Sequence, residues 1–270
     1  MLRNCPVIPC LRFRSGGGAC SNSNGFQIAS QADLDALQDC QTVKGDVIVT
    51  RDLPSLSVPS GLTAIQGDFL VAQAISMTSL TASSLQSISG KFQLLNLTIL
   101  TTLNMPSLTS VGTLDWTTVP ALRSYVTAIT TANSVSIIDT RLEDLSGFSL
   151  KSLGGANINN NRYMKLISLG NLSSATGAIS VAFNAASASV DLSSLLSAGN
   201  VSLNNVGDVF IPLLANVSGS FSLHQCTSQK YAAPKLTLVQ ESFSIIDNSA
   251  LTDISMPILK EAGSPLYNNK

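Results

Sequence analysis

The 270 residues predict an all-β chain folded as a right-handed β-helix of about ten coils, each about 22 residues long, closed at its N-terminal end by a short helix. Three observations carry this. The first is a recurring phrase, a Gly followed by alternating apolar residues. It stands at Gly45-Asp46-Val47-Ile48-Val49, Gly67-Asp68-Phe69-Leu70-Val71, Gly90-Lys91-Phe92-Gln93-Leu94 and Gly112-Thr113-Leu114-Asp115-Trp116. It returns at Gly155-Ala156-Asn157-Ile158, Gly177-Ala178-Ile179-Ser180-Val181 and Gly219-Ser220-Phe221-Ser222-Leu223, with Glu241-Ser242-Phe243-Ser244-Ile245 last and weaker copies near Asn133 and Asn200. The second is the period of two inside each phrase, the mark of a strand with one buried face. The third is the other half of each unit, as in Leu100-Thr101-Thr102-Leu103-Asn104-Met105-Pro106-Ser107-Leu108. It is rich in Ser and Thr, punctuated by Pro, and shows no helical stripe. A leucine-rich-repeat horseshoe is the competing solenoid, and it needs a helical second half that no unit offers.

Taken in chain order, residues 1–19 read as a leader without ordered structure. They carry Arg3, Arg12 and Arg14, and their apolar run Val7 to Leu11 is too short, and broken by Pro9, for a signal-peptide core. Ser30 and Asp33 then resemble a capping box, and Ala32, Leu34 and Leu37 give a short helix one apolar face. An open solenoid end exposes unpaired edges, so this helix reads as a cap. Cys20 and Cys40 flank it and are expected to form a disulfide in an oxidising compartment, the alternative being two unrelated buried thiols. Cys226 is an unpaired thiol with no evident role. A single solenoid domain is expected over 20–263 and an irregular tail over 264–270, without a hydrophobic anchor stretch.

Composition narrows the function classes. The net charge is −1 and no basic stripe exists, so nucleic-acid binding has no electrostatic footprint. Charged residues make up 11%, which leaves Ser, Thr, Asn and Gln to cover the surface. Such a surface suits a glycan-rich extracellular setting, and β-solenoids favour these residues in any case. Four sequons stand at Asn96, Asn171, Asn200 and Asn216. Asn96, at the turn after a strand, reads as the best acceptor; Asn200 leads directly into a strand and reads as the poorest.

Catalytic chemistry finds little support. Asp46 and Asp68 hold equivalent positions in adjacent coils, about the carboxyl separation of a retaining glycosidase. The column continues with Lys91 and Thr113, however, and Asp beside a Gly turn is ordinary. Asp139, Glu143 and Asp144, with Arg141, read as a solvated loop, with too few ligands for calcium. The one histidine, His224, lacks metal-site spacing and a triad context. No catalytic, metal or cofactor residue is assigned. Asn96, Asn160, Asn161, Asn184, Asn205 and Asn248 recur at strand ends and suggest an internal ladder, with a polysaccharide-binding row as the sharper alternative. Phe69, Phe92, Trp116, Phe221 and Phe243 fall on the inward phase. The stretches from Asp208 to Asn216 and from Thr227 to Pro234 break the coil spacing and are read as a contact surface.

The opening Cys20 … Phe26-Gln27-Ile28 … Ser30-Gln31-Ala32-Asp33-Leu34-Asp35-Ala36-Leu37 … Cys40-Gln41-Thr42-Val43-Lys44-Gly45-Asp46-Val47 resembles that of the fungal GPI-anchored cell-wall organisation proteins. This group is related to sporulation-specific wall proteins, and its repeats resemble receptor L-domains. Met105-Pro106-Ser107-Leu108-Thr109-Ser110-Val111-Gly112 and Asp247-Asn248-Ser249-Ala250-Leu251-Thr252-Asp253-Ile254 are similar to the same family's coils. The resemblance implies a secreted glycoprotein at the wall and the outer face of the plasma membrane. It would be non-catalytic, free of cofactors, held to the membrane only through a GPI anchor, and partnered by wall polysaccharide or wall proteins. A ligand-binding receptor-type ectodomain is the runner-up, and a polysaccharide-active β-helix enzyme the third reading.

Overall fold

The computed structural model describes residues 20–268, so the leader expected over 1–19 lies outside the described residues. The chain forms a β-solenoid of about 11 turns. One face is a ladder of parallel strands, running from Phe26–Ile28, Val47–Val49 and Phe69–Ala72 through to Leu238–Ile246 and Glu261–Asn268. Like residues stack in register: Val47 on Phe69, Phe69 on Phe92, Phe221 on Phe243. A second face precedes it in each coil, with Thr42–Lys44 and Ala64–Gln66 as its first members. In later coils both faces belong to one long bent strand, such as Ser110–Val119, whose register shifts at the bend. The recurring glycine sits at that bend. A Cβ on Gly112 or Gly177 would collide with the carbonyl of Ser89 or Gly154 in the coil below, so the phrase demands Gly for close approach of two backbones.

The third face is not continuous. Ser55–Ser57, Ser79–Thr81, Thr102–Met105 and Val126–Thr127 form one sheet. Leu166–Ser168, Ser189–Asp191 and Val209–Phe210 form another, and Lys230–Ala232 with Asp253–Ser255 a third. The third face is therefore broken at two levels, and on the second face Ser152–Leu153 pairs with Ser174–Ala175 but not with the strand below.

The core runs the length of the rod. Phe69 and Phe92 stack with ring centroids 5.7 Å apart, and Trp116 meets Phe92 edge-on at 6.0 Å. Phe221 and Phe243 stack at 5.5 Å. All five rings are fully buried. Each pair adds about 0.5–1.5 kcal/mol beyond its area burial.

The corner after the first face takes a left-handed residue in successive coils: Gln73, Asn96, Thr118, Asp139, Asn160, Phe183, Asn205, Gln225 and Asp247. This kink turns the next side chain inward. Those next residues are Ala74, Leu97, Val119, Thr140, Asn161, Asn184, Val206, Cys226 and Asn248, all buried. The asparagines expected to form one ladder thus divide. Asn161, Asn184 and Asn248 are internal, whereas Asn96, Asn160 and Asn205 are the left-handed corners themselves. Another column explains the abundance of Thr and Ser. The hydroxyls of Thr63, Thr109, Thr130, Ser173 and Thr237 donate to carbonyls one coil below, at 2.8–3.3 Å.

At the N-terminal end the helix Gln31–Asp35 is the one α-helix among the described residues, which removes the horseshoe alternative. The Ser30 hydroxyl accepts from the Asp33 backbone N–H. The Asp33 carboxylate accepts from the Ala29 N–H and the Ser30 hydroxyl, and the Ser30 bond holds its pKa below the usual range. Leu34 and Leu37 are buried on the first coil, and a Cys20–Cys40 disulfide ties the entry of this segment to its exit. At the other end the expected irregular tail is not seen. Residues 264–268 continue the strand Glu261–Asn268, pairing from Ser242↔Ser264 to Ile246↔Asn268.

Candidate functional site

Each acidic residue singled out in the sequence has a local structural occupation. Asp46 Oδ1 accepts from the Asp68 N–H at 2.8 Å, and Asp68 Oδ1 from the Lys91 N–H at 2.7 Å. Asn200 Oδ1 does the same for Ser220 at 2.7 Å. These side chains bridge one coil to the next at the bend rather than facing each other across a substrate site. Asp139 is a corner residue, Glu143 pairs with Lys165 at 4.0 Å, and Asp144 Oδ1 accepts from the Ser146 N–H and hydroxyl. Arg141 lies over the Tyr163 ring at 4.7 Å. No group of three or more metal-ligating side chains exists among the described residues. His224 Nε2 lies 3.1 Å from Asp247 Oδ2 and Nδ1 lies 3.1 Å from Asn204 Nδ2, while Cys226 turns the opposite way into the core.

Cys226 has a role that the sequence hid. Asn161 Nδ2 donates to its own i−2 carbonyl, Asn159, and to Ile137 in the coil below. Asn248 Nδ2 does likewise with Ile246 and Leu223. The Cys226 thiol contacts His224 O at 3.4 Å and Leu203 O at 3.6 Å, the same two sites. Its backbone N–H donates to Asn248 Oδ1 at 2.7 Å, as that of Asn161 does to Asn184 Oδ1. Cys226 is a ladder position filled by a weaker donor. Cys226→Asn is therefore expected to hold or raise stability, and Cys226→Ala to lower it by about 1–2 kcal/mol. Chemical denaturation of the two variants measures both.

The sequons occupy different settings. Asn171 is exposed at a turn, with Nδ2 3.0 Å from the Ser149 hydroxyl, and Asn216 is exposed on a strand. Asn200 is exposed with its Oδ1 engaged, and Asn96 is half-buried at a left-handed corner.

The two interruptions of the third face each hold a depression. At the first, Tyr125 and Phe148 stack at 5.1 Å behind a polar hollow of about 320 Å³ lined by Arg123, Ser124, Tyr125, Asp144, Ser146 and Gly147. Burial, aided by the Asp144 charge, pushes the Tyr125 hydroxyl pKa well up. At the second, no backbone hydrogen bond joins Val209–Phe210 to Lys230–Ala232. The coil that carries Gly207 is short at its corner, so Thr227 reaches past it to donate to the Ser187 hydroxyl at 2.9 Å. A groove of about 360 Å³ results, with Phe210 beside Pro212, Ala232 and Pro234 and the polar residues Asp208 and Lys230 at its edge. Asp208 Oδ1 accepts from the Ser228 hydroxyl at 2.8 Å, and Lys230 pairs with Asp253 at 3.7 Å. Behind the groove Tyr231 is buried, which raises its pKa, and its hydroxyl donates to Gly207 O at 3.3 Å. Both irregular stretches noted in the sequence contribute to this groove.

Sequence reasoning missed the exposed aromatics. Phe183 is 52% exposed at a left-handed corner and Phe210 is 53% exposed. The signal for Phe210 was present: Val209 and Ile211 are both buried, so the residue between them must face out.

The chain is 37% identical over 237 residues to "Protein ecm33" of Aspergillus fumigatus, matching 86% of this chain and 59% of that protein. It is 31% identical over 239 residues to "Cell wall protein ecm33" of Schizosaccharomyces pombe, with 86% and 56% covered. Identity to "Cell surface GPI-anchored protein" of Arthroderma benhamiae is 30% over 246 residues, with 90% and 63% covered. The chain thus spans about six-tenths of the length of these relatives. No family model matches it, and no solved structure matches it.

Proposed function

Over most of its length this chain is a homologue of fungal cell-wall proteins of the ecm33 family, and on that premise we propose that it is a non-catalytic glycoprotein supporting wall organisation. Its place is the cell wall and the outer face of the plasma membrane, reached through a GPI anchor of the kind that the Arthroderma benhamiae relative's name declares. The observation that carries the reading is the homology itself, which covers 86% of the chain in the Schizosaccharomyces pombe relative named as a cell wall protein. The fold supplies the means: a stacked rod with neutral hydroxyl and amide faces, made to present surface rather than to enclose a substrate. Asp46 and Asp68, the residues of the enzymatic reading, spend their carboxylates on inter-coil bonds.

Cell fractionation with and without N-glycan removal tests the proposal. A glycosylated species in wall or membrane fractions is expected, and an unglycosylated cytosolic species overturns it. We further expect Asn171→Gln and Asn216→Gln each to remove one glycan-sized step in electrophoretic mobility, because both side chains are exposed. The receptor-type reading rests on the broken third face, and a single saturable protein ligand with no retention on polysaccharide favours it.

A further inference from the structure

We infer that the groove between Asp208–Pro212 and Lys230–Pro234 is a saccharide-binding subsite for a neutral polysaccharide of the wall. The inference rests on the wall-glycoprotein reading and names the place where that protein holds its polymer. Phe210 is the anchor. Its register partner in the coil below is Asp191, a polar residue at the same outward position, and the outward phase is otherwise mostly polar there. A half-exposed aromatic ring in such a place is unfavourable alone and useful as a platform. Here it is flanked by the Ala232 methyl and by Pro212 and Pro234, which occupy equivalent turns of adjacent coils. The result is an apolar floor two coils wide.

The groups at its edge fix the class of ligand. Asp208 has one carboxylate oxygen held by the Ser228 hydroxyl, and Lys230 offers an ammonium already balanced by Asp253. Asp191 Oδ1 is engaged by the Ser193 N–H at 3.0 Å. An aromatic and aliphatic floor with acceptor and donor at one rim suits a pyranose ring: its C–H face lies on Phe210 and its hydroxyls meet Asp208 and Lys230. With Lys230 balanced by Asp253, and Asp208 and Asp191 held by hydrogen bonds, the rim is acidic and offers nothing to a polyanion. Contact between a neutral ring and an apolar floor predicts binding that survives high salt, whereas a polycation held by the carboxylates would be released.

The test uses the full chain against insoluble β-glucan, chitin and mannan in pull-downs at low and high salt, with soluble oligosaccharides of the retained polymer in calorimetry. The wild type is expected to bind one of them at both salt levels. Phe210→Ala is expected to weaken binding by about tenfold or more, and Phe210→Trp to retain it. Ala232→Arg fills the floor without removing a contact and is expected to weaken binding similarly. Both positions are exposed, so unchanged melting temperatures certify the fold. Wild-type affinity in both Phe210→Ala and Ala232→Arg overturns the groove and leaves the wall reading intact. Absence of binding to all polymers by a protein that still fractionates with the wall does the same. Loss of wall fractionation itself strikes the wall reading, and the calorimetry then decides the groove separately.

Discussion

Asn161→Ala is expected to lower stability by about 3–5 kcal/mol, the largest single-residue effect outside the aromatic core. Asn161 is fully buried, and its side chain is the centre of the inner ladder. Its Oδ1 accepts from the Thr140 N–H at 2.9 Å and the Thr140 hydroxyl at 2.7 Å. Its Nδ2 donates to Ile137 O, Asn159 O and Asn184 Oδ1. Truncation leaves the Thr140 donors dry and unpaired, at about 1–3 kcal/mol each before relaxation, and removes a second donor from two carbonyls of the strand ladder. Asn161→Asp is expected to fall between the two, because a carboxylate accepts from Thr140 but cannot donate to the carbonyls. Urea unfolding monitored by circular dichroism gives the ranking. Equal stability of Asn161→Ala and the wild type would show that the ladder is dispensable.

Reduction of Cys20–Cys40 is expected to remove about 3 kcal/mol, the loop-closure entropy of a segment of about 20 residues. The effect should be local, since repeats of a solenoid contact only their neighbours. Amide exchange of the Val47–Val49 and Phe69–Ala72 strands is expected to quicken under reductant, while that of Phe221–His224 stays unchanged. Uniform quickening along the rod would mean that the cap governs a single cooperative unit, and no change would mean that the helix holds without the bond.

The two predictions differ in how far their basis was visible beforehand. The cap was legible because Ser30, Asp33 and the flanking cysteines are a local pattern with local physics. The aromatic stacks were legible because period two places Phe69, Phe92, Trp116, Phe221 and Phe243 on one side. The inner ladder was half legible. Asn serves both as left-handed corner and as inward amide, one residue apart, so Asn160 and Asn161 look alike in sequence and point to different environments. Cys226 was opaque because a thiol carries no hint that it stands at an amide's position. The groove was read only as broken spacing. What opens it is a missing set of backbone bonds between two coils, and that is a property of paired segments rather than of either one.

Those missing bonds also have a mechanical meaning. Pulling or bending a solenoid loads its layers in series, so deformation concentrates in the layer with the fewest cross-links. Here that weakness has both a level and a direction: the strands Val209–Phe210 and Lys230–Ala232 are unbonded to each other, while the sheet on the opposite side stays continuous through Ser197–Asn204, Phe221–His224 and Leu238–Ile246. Tension in a wall polymer attached at the groove would flex the rod about its unbroken side and widen the groove, making this layer a compliant joint.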